Sequence, residues 1–359
     1  MIARGYFTFF LCLSASLWLI ASVTLLPYDQ FPRVSESPRR ATIRPMQHPI
    51  LGLHHVTATV DDAQQDLDFC VDALGLRLVK KTVNFDNHHV YHFYYGDERG
   101  TPGTIWTTFP YKGRGVPTGK KGAGQITVTS FSVPAGSLDF WKARLRARGV
   151  VVDEVAPRFG DESIACSDAS GLRFELVAND RDNRAPWTAG GVDAGSAIRG
   201  LHSVTMVVRS TARTLELMTG LLGYSVVNEA EGRIRLAVNG DAPGKTIELV
   251  HAPDATPAMN GVGTVHHVAM AVSNGDEQLR LRQELVRLGL NVTDVRDRCY
   301  FTSIYFREPG GVLFEAATVP PGFTIDEDAS SLGRSLKLPP WEEPHRAEIE
   351  AGLARVTSR

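Results

Sequence analysis

The stretch GLHHVTATV (52–60) returns three times along the chain, as GQITVTSFSV (124–133), GLHSVTMVV (200–208) and, more loosely, TVHHVAMAV (264–272). Each copy alternates apolar and polar residues with the period of two that a half-buried strand requires. Behind each lies a helix-length amphipathic segment, such as AQQDLDFCVDALG (63–75) or DEQLRLRQELVRLG (276–289), followed by two or three short strand patterns. The closing strands align too: GTIWTTF (103–109), GLRFELV (171–177), GKTIELV (244–250) and GGVLFEAAT (310–318). Self-similarity of this kind decides architecture before any local assignment does. It predicts an α+β fold of four βαβββ modules, each of about 50 to 60 residues. The modules fall into two pairs along the chain, 50–178 and 199–318, joined by a Gly/Asp/Arg-rich linker over 179–198. A Pro-rich arm, 319–359, follows with one helix expected near 344–356.

Composition narrows the function classes. With 359 residues, 43% hydrophobic and 22% charged, the chain has the material for sizeable cores and is not disordered. Its 38 basic residues against 40 acidic ones, with no basic block, argue against a nucleic-acid partner. Cys12, Cys70, Cys166 and Cys299 lie far apart and never as CxxC, which argues against a disulfide framework or a thiolate zinc site. The body therefore reads as cytoplasmic. At the N-terminus, residues 7–26 are charge-free and largely apolar after Arg4, about 30 Å long if helical. Two readings of 1–45 stand side by side. It is a leader, exporting the protein or tethering it to a membrane through 7–26, or Met46 is the true start and the leader a wrongly extended frame.

Strand alternation sorts the candidate site residues. In the first strand, Val56, Ala58 and Val60 share the face of His54 and suit packing under a helix, while His55, Thr57 and Thr59 take the opposite, polar face. In the fourth copy His266 falls with Val268, Met270 and Val272, and His267 with Ala269 and Ala271. On the last strand Glu315 shares a face with Leu313 and Ala317. Across the modules the first-strand position reads His55, Thr127, Ser203 and His267, and the last-strand position Thr107, Glu175, Glu248 and Glu315. Modules one and four together thus offer two imidazoles and one carboxylate, with Thr107 in the fourth place. That donor set holds a ferrous ion and leaves coordination positions for substrate and O₂, whereas four protein ligands would suit Lewis-acid isomerase chemistry.

At LGLHHVT (51–57), GTPGTIWTTFP (100–110), RFGDE (158–162), GTVHHVAMAV (263–272), DRCYFTSIYFREPGGVLFEAAT (297–318), PGFTIDED (321–328) and LPPWEEPHR (338–346), the sequence resembles the vicinal oxygen chelate superfamily. This is the glyoxalase/bleomycin-resistance/dioxygenase fold, and the likeness is to its branch of hydroquinone ring-cleaving dioxygenases. The resemblance covers about residues 48–356. It implies two glyoxalase-like domains and an extradiol-type dioxygenase acting on a hydroquinone or related phenol with O₂. The metal it implies is Fe(II), with Mn(II) as the alternative, held by His55, His267 and Glu315. It further implies that Tyr305 hydrogen-bonds the reacting oxygens, that Arg298 neutralises an anionic substrate oxygen, that Thr57 orients substrate or a ligand histidine, and that His54 and His266 stand behind the ligands or on the helix face. A glyoxalase-like lyase or isomerase is the rival within the fold, and a metal-free ligand-sequestering resistance protein the rival from another class. Homo-oligomerisation is left open. Elsewhere, His88, His89 and His92 read as lying outside the metal site for want of a second carboxylate, with His88, Tyr91 and Tyr94 approaching the polar concavity, or cup, into which His55 points. KGRGVPTGKKGAG (112–124) fails the phosphate-loop pattern and reads as a solvated linker. Asp326 and Glu327 read as anchors of the arm.

Overall fold

The computed structural model describes residues 49–357, so both readings of 1–45 lie outside the described residues. Among those described, no helix is long and apolar enough to cross a membrane. The expected α+β architecture is present, each module running strand, helix and three strands. Module one comprises β1 (Gly52–Val60), α1 (Ala63–Leu67), β2 (Arg77–Asn84), β3 (Asn87–Gly96) and β4 (Ile105–Pro110). Module two comprises β5 (Gln125–Val133), α2 (Leu138–Ala147), β6 (Val152–Arg158), β7 (Asp161–Ser167) and β8 (Arg173–Ala178). Module three comprises β9 (Gly200–Val208), α3 (Ala212–Gly220), β10 (Ser225–Ala230), β11 (Arg233–Ala237) and β12 (Thr246–His251). Module four comprises β13 (Thr264–Val272), α4 (Gly275–Arg287), β14 (Arg296–Asp297), β15 (Thr302–Arg307) and β16 (Leu313–Thr318). The arm ends in α5 (Arg346–Gly352).

Local chemistry explains the helices. The Asp62 carboxylate accepts from the amides of Gln64 and Gln65 to start α1, and the Asn274 side chain accepts from Glu277 to start α4. Helix α4 buries Gln278, Leu281 and Leu285, the spacing of a single helical face. Because each helix is a crossover, the first and last strands of every module lie side by side and parallel, as β1 with β4 and β13 with β16.

Strand pairing then crosses the chain order. β1 pairs antiparallel with β13, joining modules one and four in one eight-stranded sheet, and β5 pairs with β9, joining modules two and three in the other. The site residues of modules one and four, more than 200 positions apart in sequence, therefore meet at one seam. A continuous core, including Val56, Trp106, Phe131, Phe174, Val204 and Val268, runs through all four modules. A smaller apolar cluster sits on the other face of the first sheet, where Phe323 and Leu332 of the arm pack against Tyr94, Tyr300 and Phe301. Fully buried Lys80 on β2 fixes the arm by pairing with both Asp326 and Glu327.

The linker 112–124 is more than a solvated connection. It runs alongside the linker between modules three and four, with bridges Thr118 to Val262, Lys120 to Met259 and Ala123 to Pro257. A Cβ on Gly119 would come within 2.9 Å of the Gly261 nitrogen, and one on Gly122 within 2.2 Å of the Thr256 carbonyl oxygen. The glycines are there because two backbones approach that closely.

Candidate metal centre

At the seam, His55 Nε2, His267 Nε2 and one Glu315 oxygen all lie within 4.8 Å of one another, and all three residues are buried. Glu315 Oε2 is 2.8 Å from His267 Nε2 and 3.2 Å from His55 Nε2, and the two ring nitrogens are 3.3 Å apart. The other carboxylate oxygen accepts from Ser303. Burial alone would raise the Glu315 carboxyl, but the facing imidazoles of His55 and His267 outweigh it and hold the group well below its ordinary value. Two imidazole nitrogens and a carboxylate oxygen that makes no well-formed hydrogen bond thus converge on one point. This donor set suits a divalent cation.

The histidine doublets act as units. His54 Nδ1 lies 2.9 Å from His55 Nδ1, and His266 Nδ1 lies 2.8 Å from His267 Nδ1. A proton on the inner Nδ1 given to the outer ring leaves each inner Nε2 with a bare lone pair, the form a metal ligand needs. Burial first, then repulsion by the adjacent ring, pushes both His54 and His266 down to about 3, so the outer rings are neutral acceptors. Simple alternation placed the outer histidines among helix-face residues, and here the structure corrects the sequence reading. The pairing steps from Leu53 to His55 on β1 and from His267 to Val265 on β13, so His54 and His266 are the extra residues of two β-bulges. The bulges turn both rings of each doublet to one side, His54 onto Phe301 and His266 toward Phe109.

The other residues singled out by sequence also gather here. The Tyr305 ring stands edge-on to His267, with centroids 5.6 Å apart. Arg298 Nε donates to the Tyr305 hydroxyl at 3.2 Å and a terminal nitrogen to Asp86 at 3.0 Å. Burial and the Glu315 charge push the Tyr305 phenol up, against the pull of Arg298, so it keeps its proton at neutral pH. Thr57 accepts from Thr107 at 2.8 Å, and Thr107 stands opposite Tyr94 as Glu315 stands opposite Tyr305.

Several peripheral assignments differ from the sequence reading. His88 pairs with Glu342 of the arm, and Tyr91 stacks on Phe93 instead of approaching the cup. His92, set aside with them, sits at the site: its ring packs on Tyr94 at 4.0 Å and Phe109 at 4.3 Å, and Nε2 lies 2.9 Å from Thr107 Oγ. Burial, then repulsion by the His55 and His267 rings, holds it well below the usual histidine range. The signal was available: alternation along β3 puts His92 and Tyr94 on one face. Strand register also shifts the module-two equivalence by one residue. Thr57 pairs with Thr107 as Ser130 pairs with Glu175, so Val128, and not Thr127, is the counterpart of His55. In that second sheet Arg158 pairs with Glu175 at 2.5 Å and reaches Glu248 at 3.5 Å, while Arg235 donates to Glu248 at 2.8 Å. Guanidinium groups there occupy the carboxylates that a cation would need.

The model of the glyoxalase/bleomycin resistance protein/dioxygenase superfamily matches residues 52–176 and 200–316. MhqE of Bacillus subtilis (strain 168), a provisionally assigned ring-cleaving dioxygenase, is 43% identical over 298 residues, covering 83% of this chain and 96% of that protein. The chlorohydroquinone/hydroquinone 1,2-dioxygenase of Sphingobium indicum is 38% identical over 304 residues, covering 83% and 94%. A crystal structure of a provisionally assigned dioxygenase from Bacillus subtilis superposes with a TM-score of 0.82 at 40% identity, covering 86% of this chain and 98% of that one. Glyoxalase I from Zea mays shares the fold, with a TM-score of 0.55 at 13% identity over 74% of this chain and 92% of that one. Family match, identity over most of the chain and shared architecture agree: the chain belongs to the glyoxalase/bleomycin resistance protein/dioxygenase superfamily, in its ring-cleaving dioxygenase branch.

Proposed function

We propose that this enzyme is an Fe(II)-dependent extradiol-type dioxygenase that opens the ring of a hydroquinone or related phenol, with Mn(II) the alternative metal and His55, His267 and Glu315 its ligands. The observation that carries the reading is the asymmetry of the centre. Where module four supplies Glu315, module one supplies Thr107, whose hydroxyl is engaged by His92 and Thr57. Three protein ligands leave positions for an aromatic oxygenate and O₂, and the same feature disfavours a four-ligand isomerase. The substrate class follows the relatives' names, which include a hydroquinone dioxygenase.

A bound ferrous ion would supply the electronic link between an electron-rich ring and O₂. The chain's own groups do the rest. Arg298, charged and half-buried at the wall, compensates an ionised substrate oxygen. Tyr305, protonated and oriented by Arg298, donates to an oxygen on which negative charge develops. Phe301, Tyr94 and the arm's Phe323 form an apolar wall that accepts an aromatic ring and excludes water. His54 and His266 hold the inner histidines in the ligating tautomer. Turnover of hydroquinone under ¹⁸O₂ tests the reading: both labelled atoms should appear in the ring-opened product. Unlabelled quinone with release of hydrogen peroxide would count against it.

A further inference from the structure

The pseudo-twofold axis between β1 and β13 relates His55 to His267, Thr107 to Glu315 and Tyr94 to Tyr305. By the same register it relates His92 to Ser303. The two are equivalent in action as well as place, since Ser303 bonds Glu315 and His92 bonds Thr107. Hydrogen-bond arithmetic then fixes directions. Thr107 has one hydroxyl proton and gives it to Thr57. Toward His92 it can only accept, so the neutral imidazole carries its proton on Nε2. Thr57 is fully buried, accepts from Thr107, and among the described residues has no acceptor for its own proton. In this direction the Thr57 proton is left to meet an acceptor on a bound molecule. Thr57 stands in register with His267, at the side of the centre that lacks a fourth ligand.

We propose that His92 is a positioning residue: by donating through Nε2 it directs the Thr107 proton to Thr57 and so presents the Thr57 hydroxyl as a donor to the oxygen of a molecule bound at the open side of the centre. With the opposite tautomer the chain of protons would reverse and Thr57 would point its hydrogen at Thr107. The inference deepens the dioxygenase reading and rests on it for the identity of the bound molecule.

Two measurements test it on zinc-loaded protein, zinc being redox-inert. Long-range ¹H–¹⁵N spectra of histidine-labelled protein, with His92 identified through His92→Gln, should show the Nε2–H form; the Nδ1–H form would overturn the proposal. Anaerobic calorimetry with hydroquinone should show roughly tenfold weaker binding for His92→Phe and for Thr57→Val, no further loss in the double variant, and recovery to within about threefold for His92→Gln. All variants should keep one metal per chain. Losses that multiply in the double variant, or loss of metal from His92→Phe, would overturn it. Should the native protein bind no hydroquinone at all, the substrate reading fails while the tautomer spectrum still decides the role of His92.

Discussion

At the scale of single residues, the proposed metal site divides labour within each histidine pair, the inner ring facing Glu315 and the outer ring bonding the inner one. His55→Ala, His267→Ala and Glu315→Ala should each abolish metal retention. His54→Phe and His266→Phe should keep the site but weaken metal affinity by about 10- to 100-fold, because the inner ring loses the acceptor that fixes its tautomer. Metal analysis after dialysis against a graded chelator separates the two outcomes. Tyr305→Phe should retain metal and lower kcat by roughly 100-fold if its proton is used in turnover. The three converging side chains were legible in sequence because alternation and repeat alignment both selected them. The orientation of His54 and His266 was not, since a bulge inserts one residue and resets the alternation on which such a reading depends. His92 escapes an acid–histidine pattern because its partner is a threonine.

At the scale of elements, helix α1 is tied to the sheet through Asp66, whose buried carboxylate accepts from Tyr95 on β3 and Thr108 on β4. Burial raises this group from 3.8 to about 7. The folded state therefore holds a proton that the unfolded chain releases near pH 4. The contribution is complete below about pH 4 and is lost as pH rises through 7, on the order of 4 kcal/mol at most. Asp66→Asn should remove this fall, which denaturant unfolding of both proteins between pH 5 and 8 will show as converging midpoints at low pH and a more stable variant at high pH. The arm offers a second test. Lys80 is fully buried against Asp326 and Glu327, and Lys80→Ala leaves carboxylates beside an apolar wall without their cation. Protease cleavage within 319–334 should accelerate and KM for the aromatic substrate should rise. The sequence pointed to the arm's acidic pair but gave no sign of its partner, which lies about 246 positions earlier and meets it only through the tertiary fold.

At the scale of the whole molecule, four copies of one module build two sheets of which one carries the centre. The pairing of modules one with four, and two with three, brings His55 together with His267 and Glu315 from the opposite end of the body at an antiparallel seam. Repeat alignment made the modules legible. It erred by one residue in module two, where the segment from Gly124 is one longer than its counterparts and only strand register shows that Val128 replaces the histidine. Because Arg158 and Arg235 already neutralise Glu175 and Glu248, the second sheet should bind no metal, and saturation should stop at one ion per chain. Ring-cleaving dioxygenase activity at this centre is decided by oxygen uptake of anaerobically purified protein loaded with Fe(II) and assayed on a panel of hydroquinones and catechols. One O₂ should be consumed per ring opened, with activity proportional to one bound iron per chain and absent in Glu315→Ala. The dioxygenase assignment would be contradicted by an iron form that takes up no O₂ with any of these substrates while a nickel or zinc form converts the hemithioacetal of methylglyoxal and glutathione.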